Sequence, residues 1–137
     1  MLKMETGNPI RVLLAGNEVE MQEIRGVLND SVEIDVIGEA DSGDVVTSLA
    51  GELSPDMVLL LTDGLESYKE STDIIRYITG TQPRISVVLI TRNVLQYVVP
   101  ALKAGAAGVL SPAYGLNELL PALRRIQQWA PYSLAAV

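Results

Sequence analysis

Ser54-Pro55-Asp56-Met57-Val58-Leu59-Leu60-Leu61-Thr62-Asp63-Gly64 is the stretch whose reading decides the fold. Pro55-Asp56 reads as a turn, and Met57 to Leu61 is an unbroken apolar run too short for an ordinary helix. Thr62-Asp63-Gly64 ends it. A short run without alternation, bounded by turn residues, suits a strand buried on both faces, as in a parallel sheet covered by helices. Open α/β sheets place their chemistry at the carboxyl ends of such strands. Here that end is Leu61, which carries no reactive group.

Outward from this strand the rest of the chain alternates strand and helix. Ile10 to Ala15 reads as a first buried strand, stopped by Gly16-Asn17. Glu18 to Leu28 has helical spacing, with Val19, Met21, Ile24, Val27 and Leu28 on one broad face. Glu33 to Gly38 alternates polar and apolar, as an edge strand does. Asp41-Ser42-Gly43-Asp44 supplies caps for a helix through Val45, Val46, Leu49, Ala50 and Leu53. Ser71 to Thr79 predicts a helix carrying Ile74, Ile75 and Ile78, and Ile85 to Thr91 a fourth strand. A helix from about Val94 to Ala104 contains Pro100, which should kink it or delay its start. Gly105-Ala106-Ala107-Gly108 is a turn, Val109-Leu110 a short fifth strand. The last helix runs through Leu116, Leu119, Leu120, Leu123 and Ile126 to about Trp129. Pro121 near its start is tolerable, since the first helical N–H groups lack partners anyway.

Five strands alternating with five helices give a flavodoxin-like, doubly wound parallel sheet of order 2-1-3-4-5. The expected organisation is an extension over 1–9, one domain over 10–128, and a tail or the start of a linker over 129–137. At 137 residues this is a single domain able to bury a core without disulfides or metals.

Composition narrows the function. Histidine and cysteine are both absent, which removes His-dependent general bases, catalytic triads and His/Cys zinc sites. A net charge of −7 is a poor match for a nucleic-acid backbone. No signal peptide or membrane span is legible, and with no cysteine the chain fits the cytoplasm. The Asn29-Asp30-Ser31 sequon is then idle.

Several stretches carry a family resemblance: Arg11-Val12-Leu13-Leu14-Ala15, Ile37-Gly38-Glu39-Ala40, Pro55 to Leu60, and Ala101-Leu102-Lys103-Ala104-Gly105-Ala106. From Ile10 to about Ile126 the chain resembles a response-regulator receiver domain (CheY-like). With Leu119-Leu120-Pro121-Ala122-Leu123-Arg124-Arg125-Ile126 and then Ala130-Pro131-Tyr132-Ser133, it is most similar to the NarL/FixJ branch. In that branch a receiver leads through a linker into a helix-turn-helix DNA-binding domain.

The resemblance implies a phosphoacceptor aspartate at the end of the third strand, where this chain has Leu61. The magnesium-holding acidic pair falls on Gly16 and Asn17, the phosphate-pairing lysine on Pro112, and the aromatic switch residue on Val109. Only the hydroxyl ending the fourth strand persists, as Thr91. A leucine takes no phosphoryl group, and phosphoryl transfer needs compensation for charge that Gly16, Asn17 and Pro112 do not offer. Leu61 is expected to pack on the top of the core. A shifted site using Asp63 and Glu18 is conceivable. The plainer reading, in which Asp63 turns a loop and Glu18 opens a helix where negative charge suits the dipole, is preferred.

The expectation is therefore a phosphorylation-independent pseudo-receiver without enzymatic activity, cofactor or metal, acting by binding a protein or its own twin. Such a module would be the N-terminal part of a LuxR/NarL-type transcriptional regulator, without direct nucleic-acid or membrane binding of its own. The alternative is an adaptor of the kind fused to pilus-assembly or localisation ATPases of the CpaE/TadZ type. The resemblance implies communication through the face made by the fourth helix, fifth strand and fifth helix, or through the first and fifth helices, and there Tyr97, Tyr114 and Trp129 are candidate surface anchors. The equal reading is that Tyr97 covers the core and Trp129 docks the chain end.

Overall fold

The computed structural model describes residues 8–62, 68–112 and 118–136. Its elements are β1 (Ile10–Ala15), α1 (Glu18–Asn29), β2 (Ile34–Ala40), α2 (Gly43–Leu53) and β3 (Met57–Leu61), then α3 (Tyr68–Thr81), β4 (Ser86–Ile90), α4 (Val94–Ala104), β5 (Gly108–Leu110) and α5 (Leu119–Ala136). The five strands are all parallel, in the order β2-β1-β3-β4-β5. This is the topology the alternating pattern required.

Strand parity divides the core into two layers. Val12 and Leu14 of β1 with Met57, Leu59 and Leu61 of β3 pack under α1 and α5, against Met21, Ile24, Leu28, Leu119 and Leu123. Leu13 and Ala15 with Val58 and Leu60 face the other way, against Val46, Ile75, Ile78, Tyr97 and Ala101 of α2, α3 and α4. All five residues of β3 are buried, which is why the run shows no alternation. Its entry is pinned by Asp56, whose Oδ2 accepts from the Arg11 N–H at 2.9 Å. The Arg11 guanidinium in turn donates to the carbonyls of Leu53 and Ser54.

The edge strand β2 differs from simple alternation. Val12 pairs with Val36 but Leu13 with Gly38, so Ile37 is an extra residue, a bulge that interrupts the period of two. In α1, Val19 is 70% exposed, contrary to the broad face expected. At 3.6 residues per turn it lies opposite Met21, Ile24 and Leu28, so only the narrower stripe is buried. Pro100 neither ends nor delays α4, which runs unbroken from Val94 to Ala104. The carbonyl that loses its helical donor belongs to Gln96, an exposed residue.

Gly105 stops α4 in a left-handed conformation, φ 115°. A Cβ there would sit 2.6 Å from Thr79 Oγ1, the hydroxyl that donates to the Ala104 carbonyl and so ties α3 to α4. The last helix, expected to end at about Trp129, continues to Ala136 as α5. Pro121 is its third residue, where a missing N–H costs nothing.

Candidate functional site

The carboxyl ends of β1, β3 and β4 converge where a doubly wound sheet presents its site. Each residue there has a structural occupation. Leu61, 7% exposed, points into the α1/α5 layer beside Leu14, Leu59 and Ile90. Gly16 follows β1 so closely that a Cβ on it would lie 2.9 Å from Leu61 Cβ and 3.2 Å from the Leu61 carbonyl oxygen. The Cβ and carbonyl oxygen of residue 61 thus occupy the space a side chain at position 16 would need. Asn17 is the N-cap of α1, its Oδ1 accepting from the Glu20 N–H at 2.8 Å.

Thr91 is fully buried; its Oγ1 accepts from the Asn93 N–H at 3.0 Å, turning the chain from β4 into α4. That is the local backbone role open to any such threonine. Val109, half-buried in β5, packs on the α2–α3–α4 layer, and Pro112 is half-buried just beyond the strand.

The surface anchors fare differently. Tyr97 is 0% exposed and belongs to the core, so it presents nothing at the surface; it lies on the same side of α4 as Ala101 and Ala104. Tyr114 and Asp63 lie outside the described residues, and Trp129 lies within α5 with its side chain outside them.

Glu18, the other half of the conceivable shifted site, is engaged elsewhere. Arg25 makes ion pairs with Glu18 at 3.2 Å and with Glu39 at 2.8 Å, joining both ends of the first crossover. The Arg25 hydrogen bond, helped by its charge, holds the Glu39 carboxyl below its ordinary value, and burial opposes this only in part. Composition gives no hint of this network, because it joins residues from α1 and β2 whose approach depends on the crossover.

A cleft of about 340 Å³ opens beside these strand ends, lined by Gly16, Asn17, Asp41, Ser42, Leu61 and Ser71 among others. Glu20, Asp41 and Glu70 contribute carboxylates to its wall, yet among the described residues no group of three acids is placed to hold a metal ion. Magnesium, which the family resemblance implies, therefore does not fit the described site. Gly16 and Asn17 bring no carboxylate, the Asn17 oxygen caps a helix, and Leu61 has neither nucleophile nor ligand atom.

Comparison with known proteins agrees with the geometry. No family model matches the chain. The response regulator GacA of Pseudomonas aeruginosa is 32% identical over 106 residues, 75% of this chain and 48% of that protein. The transcriptional regulatory protein LiaR of Bacillus subtilis is 32% identical over 125 residues, 89% of this chain and 58% of that protein. Among solved structures, the signal receiver domain of the putative response regulator NarL of Mycobacterium tuberculosis superimposes with a TM-score of 0.76 at 24% identity, covering 88% of this chain and 98% of that one. The isolated receiver domain of RcsB from Salmonella enterica serovar Typhimurium gives 0.75 at 19% identity, covering 88% and 90%.

The fold defines a CheY-like receiver domain. Within that class the chain belongs with the receivers of NarL/LuxR-type response regulators. It spans about half the length of the curated relatives it matches. Among the described residues no helix is long and apolar enough to cross a membrane.

Proposed function

We propose that this domain is a pseudo-receiver: a cytoplasmic, non-enzymatic protein-interaction and dimerisation module whose output does not depend on phosphorylation. It would serve as the regulatory, N-terminal part of a LuxR/NarL-type transcriptional regulator, with DNA contacts left to another domain. The observation that carries the reading is Leu61, buried at the end of β3 and packed against Gly16. With no carboxylate at either position, a phosphoryl donor meets neither nucleophile nor metal there. Any signal must then enter as differential binding of a partner to two states. The relatives named above are response and transcriptional regulators, which favours this reading over an ATPase-linked adaptor.

The test is intact-mass analysis after incubation with acetyl phosphate and magnesium. The expected result is an unchanged mass. Gain of one phosphoryl group, mapped to Asp63, would overturn the proposal and make the domain a true phospho-receiver with a shifted site.

A further inference from the structure

We propose that the cleft at the strand ends, with the groove that continues it between α2 and α3, binds a small aliphatic polyamine. The inference goes beyond the interaction-module reading by giving the domain a ligand class.

More than acidity marks the cleft. Ser71, the fourth residue of α3, lines it and is only 3% exposed, yet its hydroxyl has no hydrogen-bond partner among the described residues. A buried hydroxyl left unpaired carries a desolvation cost that a donor on a ligand recovers. Asp41 and Glu70 stand exposed on the rim, and neither makes a hydrogen bond or ion pair through its side chain among the described residues. The floor between them is apolar, with Val46, Leu60, Leu61 and Ile74 all buried. No Lys or Arg lines the cleft among the described residues.

Gly43, Glu70 and Ile74 also line a groove of about 520 Å³ between α2 and α3, so the two spaces are continuous. Gly43 keeps them joined: a Cβ there would meet Glu70 Oε2 at 3.0 Å and Ile74 Cδ1 at 3.2 Å. The groove adds the Asp44 carboxylate and the half-exposed ring of Tyr77. Placement in the first turns of α2 and α3 accounts for Asp44 and Glu70 through the helix dipole alone. It accounts neither for Asp41, which precedes α2, nor for the unpartnered Ser71.

The spread of the carboxylates selects the ligand. Among the described residues no three acids are placed to hold one metal ion. A methylene chain with an ammonium every few carbons instead lays its stems on Val46 and Ile74 and sets its charges at successive carboxylates. Each ammonium is a donor only, which suits carboxylates and the Ser71 oxygen, and the Tyr77 ring offers a face to a cation. The net charge of −7 draws such a ligand in.

The test is calorimetric titration of the 137-residue chain with spermidine in 0.15 M sodium chloride, where exposed charges more than about 8 Å apart are screened. Saturable one-to-one binding is expected. Ser71→Ala should weaken it about fivefold and Glu70→Gln about tenfold, each with an unchanged circular dichroism spectrum. Asp35→Asn, toward the opposite end of the sheet, should bind as the unmodified chain does. Nα-acetyl-lysine amide, a single ammonium on a similar stem, should bind at least ten times more weakly than spermidine, which separates a free polyamine from the lysine of a partner protein. Equimolar magnesium chloride should leave spermidine bound. Absence of saturable binding, unchanged affinity in Ser71→Ala or Glu70→Gln, equal affinity for the single ammonium, or displacement by magnesium would each overturn the proposal. The acetyl phosphate result is independent of amine binding, so failure here leaves the phosphorylation-independent reading standing.

Discussion

At the scale of single residues, the pair Leu61 and Gly16 shows how loss of chemistry and packing are joined. The leucine buries its side chain in the α1/α5 layer, and a Cβ at position 16 would strike the Cβ and carbonyl oxygen of residue 61. Restoring an aspartate alone should therefore not restore a receiver. Leu61→Asp places a carboxylate among Leu14, Leu59 and Ile90, with no cation lining the cleft there among the described residues, and is expected to cost about 2–5 kcal/mol in urea denaturation. It should also fail to label with acetyl phosphate. Gly16→Ala forces a carbon to within 2.9 Å of Leu61 Cβ and should cost about 1–3 kcal/mol. In the double variant Gly16→Ala/Leu61→Gly the Cβ that the added methyl would strike is gone. The two penalties should then sum to less than their separate values, a coupling that a double-mutant cycle measures. The leucine was legible in the sequence as the end of a buried strand. Its contact with Gly16 was not, because β1 and β3 become neighbours only through the crossover.

Individual elements are fixed by a few contacts that reach beyond their own spans. Arg25 couples α1 to the end of β2 through Glu39, whose folded-state pKa is lowered from 4.5 chiefly by that hydrogen bond. The linkage sign follows. Below 4.5 the unfolded chain binds more protons at this group, so its stabilisation is full above that pH and is lost as pH falls through the lower folded value. Arg25→Met should lower stability slightly at neutral pH and not at all at low pH, so that the acid limb of the stability–pH curve from urea denaturation flattens by that small amount, as solvent screens the partly exposed pair. Gly105→Ala should act more strongly. It demands a left-handed φ of an L side chain and drives its methyl into Thr79 Oγ1, so a loss of at least ~2 kcal/mol in thermal or urea unfolding is expected. Helix periodicity located nearly every element from the chain alone. It missed the β2 bulge at Ile37, whose extra residue is defined only by pairing with β1, and it over-counted the buried face of α1 at Val19.

For the whole molecule, association and stability are linked. If the domain pairs with its own twin, as proposed, mass action stabilises the folded state, and Tm should rise with protein concentration in a dilution series by calorimetry. The sequence by itself determined the fold class, the strand order and the residues standing at the strand ends, because burial period and turn chemistry are written locally. It also determined which groups are missing, since the chain has no histidine and no cysteine and ends β3 with leucine. Only the tertiary structure decided which side of a helix faces inward. Tyr97, a plausible surface anchor by composition, is buried, while Leu95, Val99 and Leu102 are turned to solvent. On a helix apolar all round the sequence contains no stripe to choose between, and the choice falls to the side that meets the sheet.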